Sequence, residues 1–253
     1  MSSESRRGWW DSLPFMELMP NRVIPYLKVA VHVACLLPFL WLLWMYRSGG
    51  LAAQADPVNY ITHFTGNWAL WILLGDLAIT PVRRLNSSLA WLIRFRRMVG
   101  LYAFFYATLH LLTYVLLFSG YDVPTAIAGL QAHQFGEPWR QFMLVWPRMV
   151  DDVEKRKFIQ VGLLAWVILL SLAVTSPQRV LRAMGGKNWQ RLHRLIYLAG
   201  AAAVIHYWWL VKTGVRSPMK VTVVLGVLLR ARVGYWAAMG WGGRRKTAVG
   251  ELA

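Results

Sequence analysis

NWQRLHRLIYLAGAAAVIHYWWLVK, residues Asn188–Lys212, is an apolar stretch long enough to cross a bilayer, with His193 near its start and His206 near its end. The two histidines are 13 residues apart, or ~20 Å along a continuous helix at ~1.5 Å per residue. Ionisable groups at membrane depth are costly and usually functional. Imidazole is neutral when it binds iron, which makes it a membrane-compatible haem ligand. Two such groups at different depths point to redox centres stacked across a membrane.

Composition supports that reading. Of 253 residues, 57% are hydrophobic and only 15% charged, too apolar for an ordinary soluble domain. The fold class expected is an all-α membrane protein, a six-transmembrane-helix bundle. The net charge of +17 does not indicate nucleic acid, because the basic residues cluster beside apolar spans, as the positive-inside rule expects. The one cysteine, Cys35, excludes an internal disulfide, a four-cysteine iron–sulfur cluster and a C-x-x-C-H haem attachment. Any haem is then non-covalent. No internal repeat is evident.

Working outward, residues 1–21 read as a cytoplasmic tail and 242–253 as another, enclosing a domain at 22–241. Span one is placed at Val23–Tyr46, kinked by Pro25 and Pro38. Span two is Gly66–Thr80, with His63 as an alternative start, and ends at Pro81. The Arg83–Arg97 loop holds five arginines and no acid, so it is cytoplasmic. Span three is Met98–Ser119. A charge-balanced loop at 121–157 is periplasmic, with a short interfacial helix over Pro124–Leu130. Span four is Phe158–Thr175, and the basic, acid-free segment Pro177–Arg194 returns the chain inside. Span five is Leu192–Val211. Span six is Ser217–Trp236, with Arg230 and Arg232 snorkelling to the inner headgroups. Both termini are then cytoplasmic.

Spans three and five run in the same direction. His110 lies 13 residues beyond Arg97 and His206 lies 12 beyond Arg194, so both sit at one depth in the outer half. Two neutral imidazoles on neighbouring helices can ligate a haem from both sides. His193 lies near the inner surface, and its counterpart by depth is Arg96 or Arg97. Arginine cannot ligate iron but pairs well with haem propionates or a flavin phosphate. One complete bis-histidine haem and one incomplete inner site are expected. On an ideal helix His193 and His206 are about 140° apart. Either the helix is distorted or the two histidines address different neighbours. His63 is a candidate propionate or quinol contact. His32 reads as structural or quinone-adjacent, and His133 as solvated.

Several segments together resemble a known family: LKVAVHVACLLPFLWL at Leu27–Leu42, HFTG at His63–Gly66, AITPVRR at Ala78–Arg84, RRMVGLYAFFYATLH at Arg96–His110, AWVILLSLAVTS at Ala165–Ser176 and LHRLIYLAGAAAVIHYWWLVK at Leu192–Lys212. The chain resembles the MsrQ (YedZ) family, the haem-binding membrane subunits of the bacterial periplasmic methionine sulfoxide reductase system. More distantly it is similar to the ferric reductase-like transmembrane domain. The resemblance implies haem b (one or two), with iron ligands His110, His206 and His193, and a non-covalent FMN. It implies electron transfer across the inner membrane, from a cytosolic flavin reductase or the quinone pool to a periplasmic molybdopterin reductase of the MsrP kind. Basic groups at Arg94, Arg96 and Arg97 are placed to hold a flavin phosphate. Relatives with two full haems carry a fourth histidine where this chain has Arg96 or Arg97. The 121–157 loop faces the side where the partner docks and is read as a docking element.

Two other readings compete. A stand-alone ferric or oxygen reductase of the same fold would require a dinucleotide-binding domain, and the chain to Ala253 leaves no room for one. A non-redox scaffold or transporter would show no visible spectrum.

Overall fold

The structure, a computed structural model, describes residues 22–211 and 217–250. The N-terminal tail, including Trp9 and Trp10, lies outside the described residues. No strand occurs among those described. Helices form at all six places expected for spans: α1 (Ile24–Arg47), α2 (Pro57–Leu85), α3 (Arg96–Thr113), α6 (Lys157–Val174), α9 (Ile196–Leu210) and α10 (Ser217–Gly250). Between them lie α4 (Val123–Gln131), α5 (Glu137–Lys155), α7 (Gln178–Met184) and α8 (Gly186–His193). Three helical segments, Ile24–Arg47, Arg96–Phe118 and Lys157–Val174, are long and apolar enough to cross a membrane. α9 has 15 residues, or ~23 Å at ~1.5 Å each, short of a ~30 Å hydrocarbon core. α2 is interrupted by polar groups, and the boundary expected at residue 242 falls within α10.

Local chemistry sets the helix limits. Asp56 caps α2 by accepting the Asn59 N–H at 2.9 Å, so this helix starts two turns before the span expected at Gly66. It also runs on through Pro81 to Leu85. An interior proline removes one hydrogen bond and bends a helix without always ending it. Pro25 sits in the first turn of α1, where its missing N–H costs nothing, so it starts the helix instead of kinking it. Pro38 is inside α1. There the Tyr106 hydroxyl donates to Cys35 O at 2.7 Å and accepts from Phe39 N at 3.0 Å. It thus stands between two groups that a regular helix would pair directly.

The 121–157 loop is more ordered than expected. The short helix over Pro124–Leu130 is present as α4, capped by Asp122 on Thr125 N at 3.0 Å. A second, strongly amphipathic helix, α5, follows it. Its apolar positions recur at helical spacing (Trp139, Phe142, Trp146), with rings 5.5 and 5.6 Å apart, amid a charged segment that reads as loop by composition alone.

α2 occupies the centre. Its Leu70, Leu73, Leu74 and Leu77 pack with Ala103 of α3, Ile168 and Leu172 of α6, Ala199 of α9 and Leu225 of α10. Between helices in lipid, close packing at small residues replaces the hydrophobic effect. Gly200 shows it: a Cβ there would sit 3.3 Å from a Leu77 methyl. α1 is peripheral, with Val29, Val33, Leu37, Leu40 and Trp44 all exposed, an apolar face suited to lipid.

Candidate metal centre

His110 is on α3 and His206 on α9, and their ring centroids lie 6.0 Å apart at an interplanar angle of 80°. His110 Nδ1 is 3.0 Å from the Thr62 carbonyl oxygen of α2. His206 Nδ1 is 2.7 Å from the Phe158 carbonyl oxygen of α6. A carbonyl only accepts, so each Nδ1 carries the proton and each neutral ring keeps its lone pair on Nε2. Metal-ligating histidines are oriented in this way, by a donor bond from the second nitrogen. The rings can reach these carbonyls because Thr62 and Phe158 each lie four residues before a glycine, where the helix surface admits a ring. A Cβ on Gly66 would lie 3.1 Å from the His110 ring, and one on Gly162 2.7 Å from His206 Nδ1.

These parts form a repeat. Both bonds span 48 residues, and His110, Thr62 and Gly66 map onto His206, Phe158 and Gly162 by one shift of 206 − 110 = 96 positions. The same shift aligns Ala69 with Ala165, Ile72-Leu73-Leu74 with Ile168-Leu169-Leu170 and Pro81 with Pro177. It corrects the expectation of no internal repeat. The signal is a sparse ungapped match, visible once the two bonds supply the register. The shift also pairs His193 with Arg97.

His193 is not on the helix of His206. Residues 194–195 form a turn between α8 and α9, so the two histidines address different neighbours. His193 stacks on Trp189 with centroids 3.7 Å apart, and its Nε2 is 3.4 Å from Thr175 Oγ1. The ~20 Å rise assumed for a continuous helix does not apply.

Arg96 turns inward. Its Nε lies 3.6 Å from Asp76 Oδ2, and its Nη1 donates to Thr80 Oγ1 at 3.2 Å. Asp76 is 1% exposed. This buried carboxylate on α2 was not singled out by sequence reasoning, although an acid inside an apolar run is itself a signal. Arg97 is exposed and Arg94 half-buried. His63 is half-buried and within electrostatic range of His110. His32 Nδ1 meets Tyr102 Oη at 2.8 Å, tying α1 to α3. His133 is exposed, edge-on to Phe135.

The pair of imidazoles suits a metal that brings its equatorial ligands with it. Among the described residues no group of three or more His, Cys, Asp or Glu could hold a bare ion. Metal–imidazole bonds of about 2.0 Å, with ring centres about 1.1 Å beyond each nitrogen, would put two axial rings about 6 Å apart. The observed 6.0 Å separation fits.

Residues 65–204 match the family described as ferric reductase like transmembrane component. Fold and site therefore define a ferric-reductase-like transmembrane protein. The chain is 42% identical over 225 residues to the protein-methionine-sulfoxide reductase heme-binding subunit MsrQ of Xanthomonas campestris pv. campestris, covering 87% of this chain and 90% of that one. The MsrQ of Xanthomonas axonopodis pv. citri is 45% identical over 210 residues, covering 81% and 85%. That of Ralstonia nicotianae is 37% identical over 235 residues, covering 92% and 94%. No solved structure matches. More narrowly, the chain belongs to the MsrQ family.

Proposed function

We propose that this chain is a b-type haem electron-transfer subunit of the bacterial inner membrane, with His110 and His206 as axial ligands. The observation that carries the reading is the matched pair of imidazoles, each donating Nδ1–H to a backbone carbonyl and keeping Nε2 free. The relatives' names, which describe heme-binding subunits of a methionine sulfoxide reductase, agree with it. Haem held there would supply reversible one-electron transfer. Held by both imidazoles, the iron would have no open position, which would suit transfer over oxygen chemistry. The protein's part is to fix both rings, bury them and exclude water, and these together set the potential.

In this reading six helices span the membrane with both termini cytoplasmic, α2 and α9 included despite their polar or short character. Electrons enter at the inner face from a cytosolic flavin reductase or quinone. Arg94 and Arg97 would hold the phosphate of FMN, which would supply electron-relay chemistry there, and His193 would serve an inner site. They leave to a periplasmic MsrP-type molybdopterin reductase that repairs oxidised periplasmic proteins. α4 and α5 form the docking element.

The test is a reduced-minus-oxidised visible spectrum with pyridine haemochrome quantitation on wild type, His110→Ala and His206→Ala. A low-spin b-type spectrum lost in both variants is expected. A wild-type protein that stays colourless after reconstitution with haem would overturn the reading. Deleting Thr125–Trp139 should impair partner reduction at unchanged haem content, and unimpaired transfer would remove the docking role.

A further inference from the structure

On α5, the apolar side chains Trp139, Met143, Trp146 and Val150 are all exposed, Trp139 by 65%. They follow one another at intervals of four, three and four residues, which at ~100° per residue sets them in a single stripe. Pro138, Gln141, Phe142, Val145 and Met149 are half-buried and form the face turned to the bundle. Arg140, Arg148, Asp151, Glu154 and Lys155 are exposed and fall on a third face, where Leu144 is an apolar exception. Two of these charges are locally paired, Arg140 with Glu137 at 2.8 Å and Lys155 with Asp151 at 2.6 Å. The helix is thus divided three ways, into bundle contact, apolar stripe and charge.

The ties of α5 fix its level. The Tyr114 hydroxyl donates to Asp152 Oδ2 at 2.9 Å. The Gln160 side-chain amide donates to the carbonyls of Val153 at 2.9 Å and Glu154 at 3.2 Å. Tyr114 and Gln160 belong to the segments Arg96–Phe118 and Lys157–Val174, both long and apolar enough to cross a membrane. Nearer its start, Pro138 O accepts from the Tyr121 hydroxyl at 3.1 Å, and Arg148 Nη1 lies 3.1 Å from where a Cβ on Gly120 would stand. Pro138 and Asp152 are 14 residues apart, or ~21 Å of helix, yet both are held by residues between 114 and 121. α5 is therefore laid across the end of α3 and does not project away from it. Leu116, Leu117 and Phe118 are exposed as well, so α3 stays apolar on its surface up to the residues that hold α5.

We propose that α5 lies in the plane of the membrane, at the end of the bundle where α3 finishes and α6 begins, with Trp139, Met143, Trp146 and Val150 seated in lipid. An amphipathic helix so placed sinks its apolar face ~5–10 Å into the boundary between headgroups and acyl chains. Indole suits that layer, with its ring dry and its N–H wet. α5 carries four acidic and three basic residues, so attraction to anionic lipid contributes little and apolar burial drives the seating. Lipid is the occupant because two membrane-crossing segments hold the helix at their ends. The inference rests on α3 and α6 crossing the membrane and not on the haem reading, and it leaves the charged face for a docking partner.

The experiment is hydroxyl-radical footprinting from the water phase, read residue by residue by mass spectrometry, on the full-length protein in phosphatidylcholine nanodiscs holding one copy each. Labelling is compared with that of the same peptides after digestion. Leu144 is the wet reference on the same helix, and Leu164 and Val167, exposed on α6, are the reference for a span in lipid. A Trp139→Glu/Trp146→Glu variant is footprinted beside wild type.

Severalfold protection of Trp139, Met143 and Trp146, with Leu144 labelled freely and the pattern unchanged by high salt, is the expected result. Labelling of Met143 should rise severalfold in the double variant. A stripe labelled as freely as Leu144 while Leu164 and Val167 stay protected overturns this proposal alone and leaves the stripe to a protein partner. Free labelling of α6 as well overturns the spanning reading with it. Protection that appears only in discs holding two copies assigns the stripe to a second copy and overturns the lipid seat. So does unchanged labelling of Met143 in a double variant that melts like wild type.

Discussion

Gly162 of α6 lies flat against the imidazole of His206, so close that a Cβ in its place would stand 2.7 Å from Nδ1 and 2.9 Å from Cε1. The contact lets the ring reach the Phe158 carbonyl, and it is repeated more loosely by Gly66 and His110 at 3.1 Å. Gly162→Ala must therefore displace the ring, at an overpacking cost of about 1–3 kcal/mol. The expected result is a lower melting temperature and loss of the low-spin haem signal, with a milder loss in Gly66→Ala. Gly75 is the internal control. Nothing lies within 4 Å of its added Cβ, and alanine there should stabilise α2 by up to ~1 kcal/mol. Equal melting temperatures in all three variants would refute the cradle.

Tyr106 is 1% exposed and bridges Phe39 N–H to the Cys35 carbonyl. Tyr106→Phe leaves both groups without that partner beside Pro38. A loss of about 1–3 kcal/mol is expected, the cost of a buried unsatisfied polar group. α1 has few other ties to the bundle, so alkylation of Cys35 should also quicken. A thermal melt and a maleimide time course check both.

Asp76 and Arg96 form a buried pair on α2 and α3, with side chains 2% and 29% exposed. Asp76→Asn removes the charge that Arg96 faces. Breaking a buried pair from one side costs about 3–5 kcal/mol, less where one partner is partly solvated. Asp76→Leu with Arg96→Met should recover most of it. Thermal denaturation in detergent of Asp76→Leu, Arg96→Met and the double variant measures the coupling, and simple additivity would show that the pair does not act as one.

The Thr125 backbone N–H, and then its hydroxyl, hold the Asp122 carboxyl below the usual carboxylate range. A carboxylate with a depressed folded pKa contributes stability above its unfolded value of about 3.9, and that contribution is lost as pH falls through the folded value. Amide exchange across α4 should thus show full protection down to about pH 5 and lose it below about pH 4. Asp122→Ala should show the unprotected state at every pH. A pH-independent profile in wild type would rule out the cap.

Runs of apolar residues and the placing of basic ones are local properties. They were enough to place a helix at each of the six expected spans and to bring His110 and His206 to one level, because helix rise and the cost of charge in lipid act on consecutive residues. The segment 121–157 was less legible: α5 is amphipathic, and its charged face masks its apolar one in any average.

What only tertiary structure decided is which groups meet. That His110 bonds Thr62 and His206 bonds Phe158, each 48 residues away, follows from helix packing that neither segment encodes alone. The turn at 194–195 separates His193 from His206, and the turn of Arg96 onto Asp76 depends on how α3 lies against α2. These are contacts between distant residues, set by packing the whole bundle and not by the propensity of any one stretch.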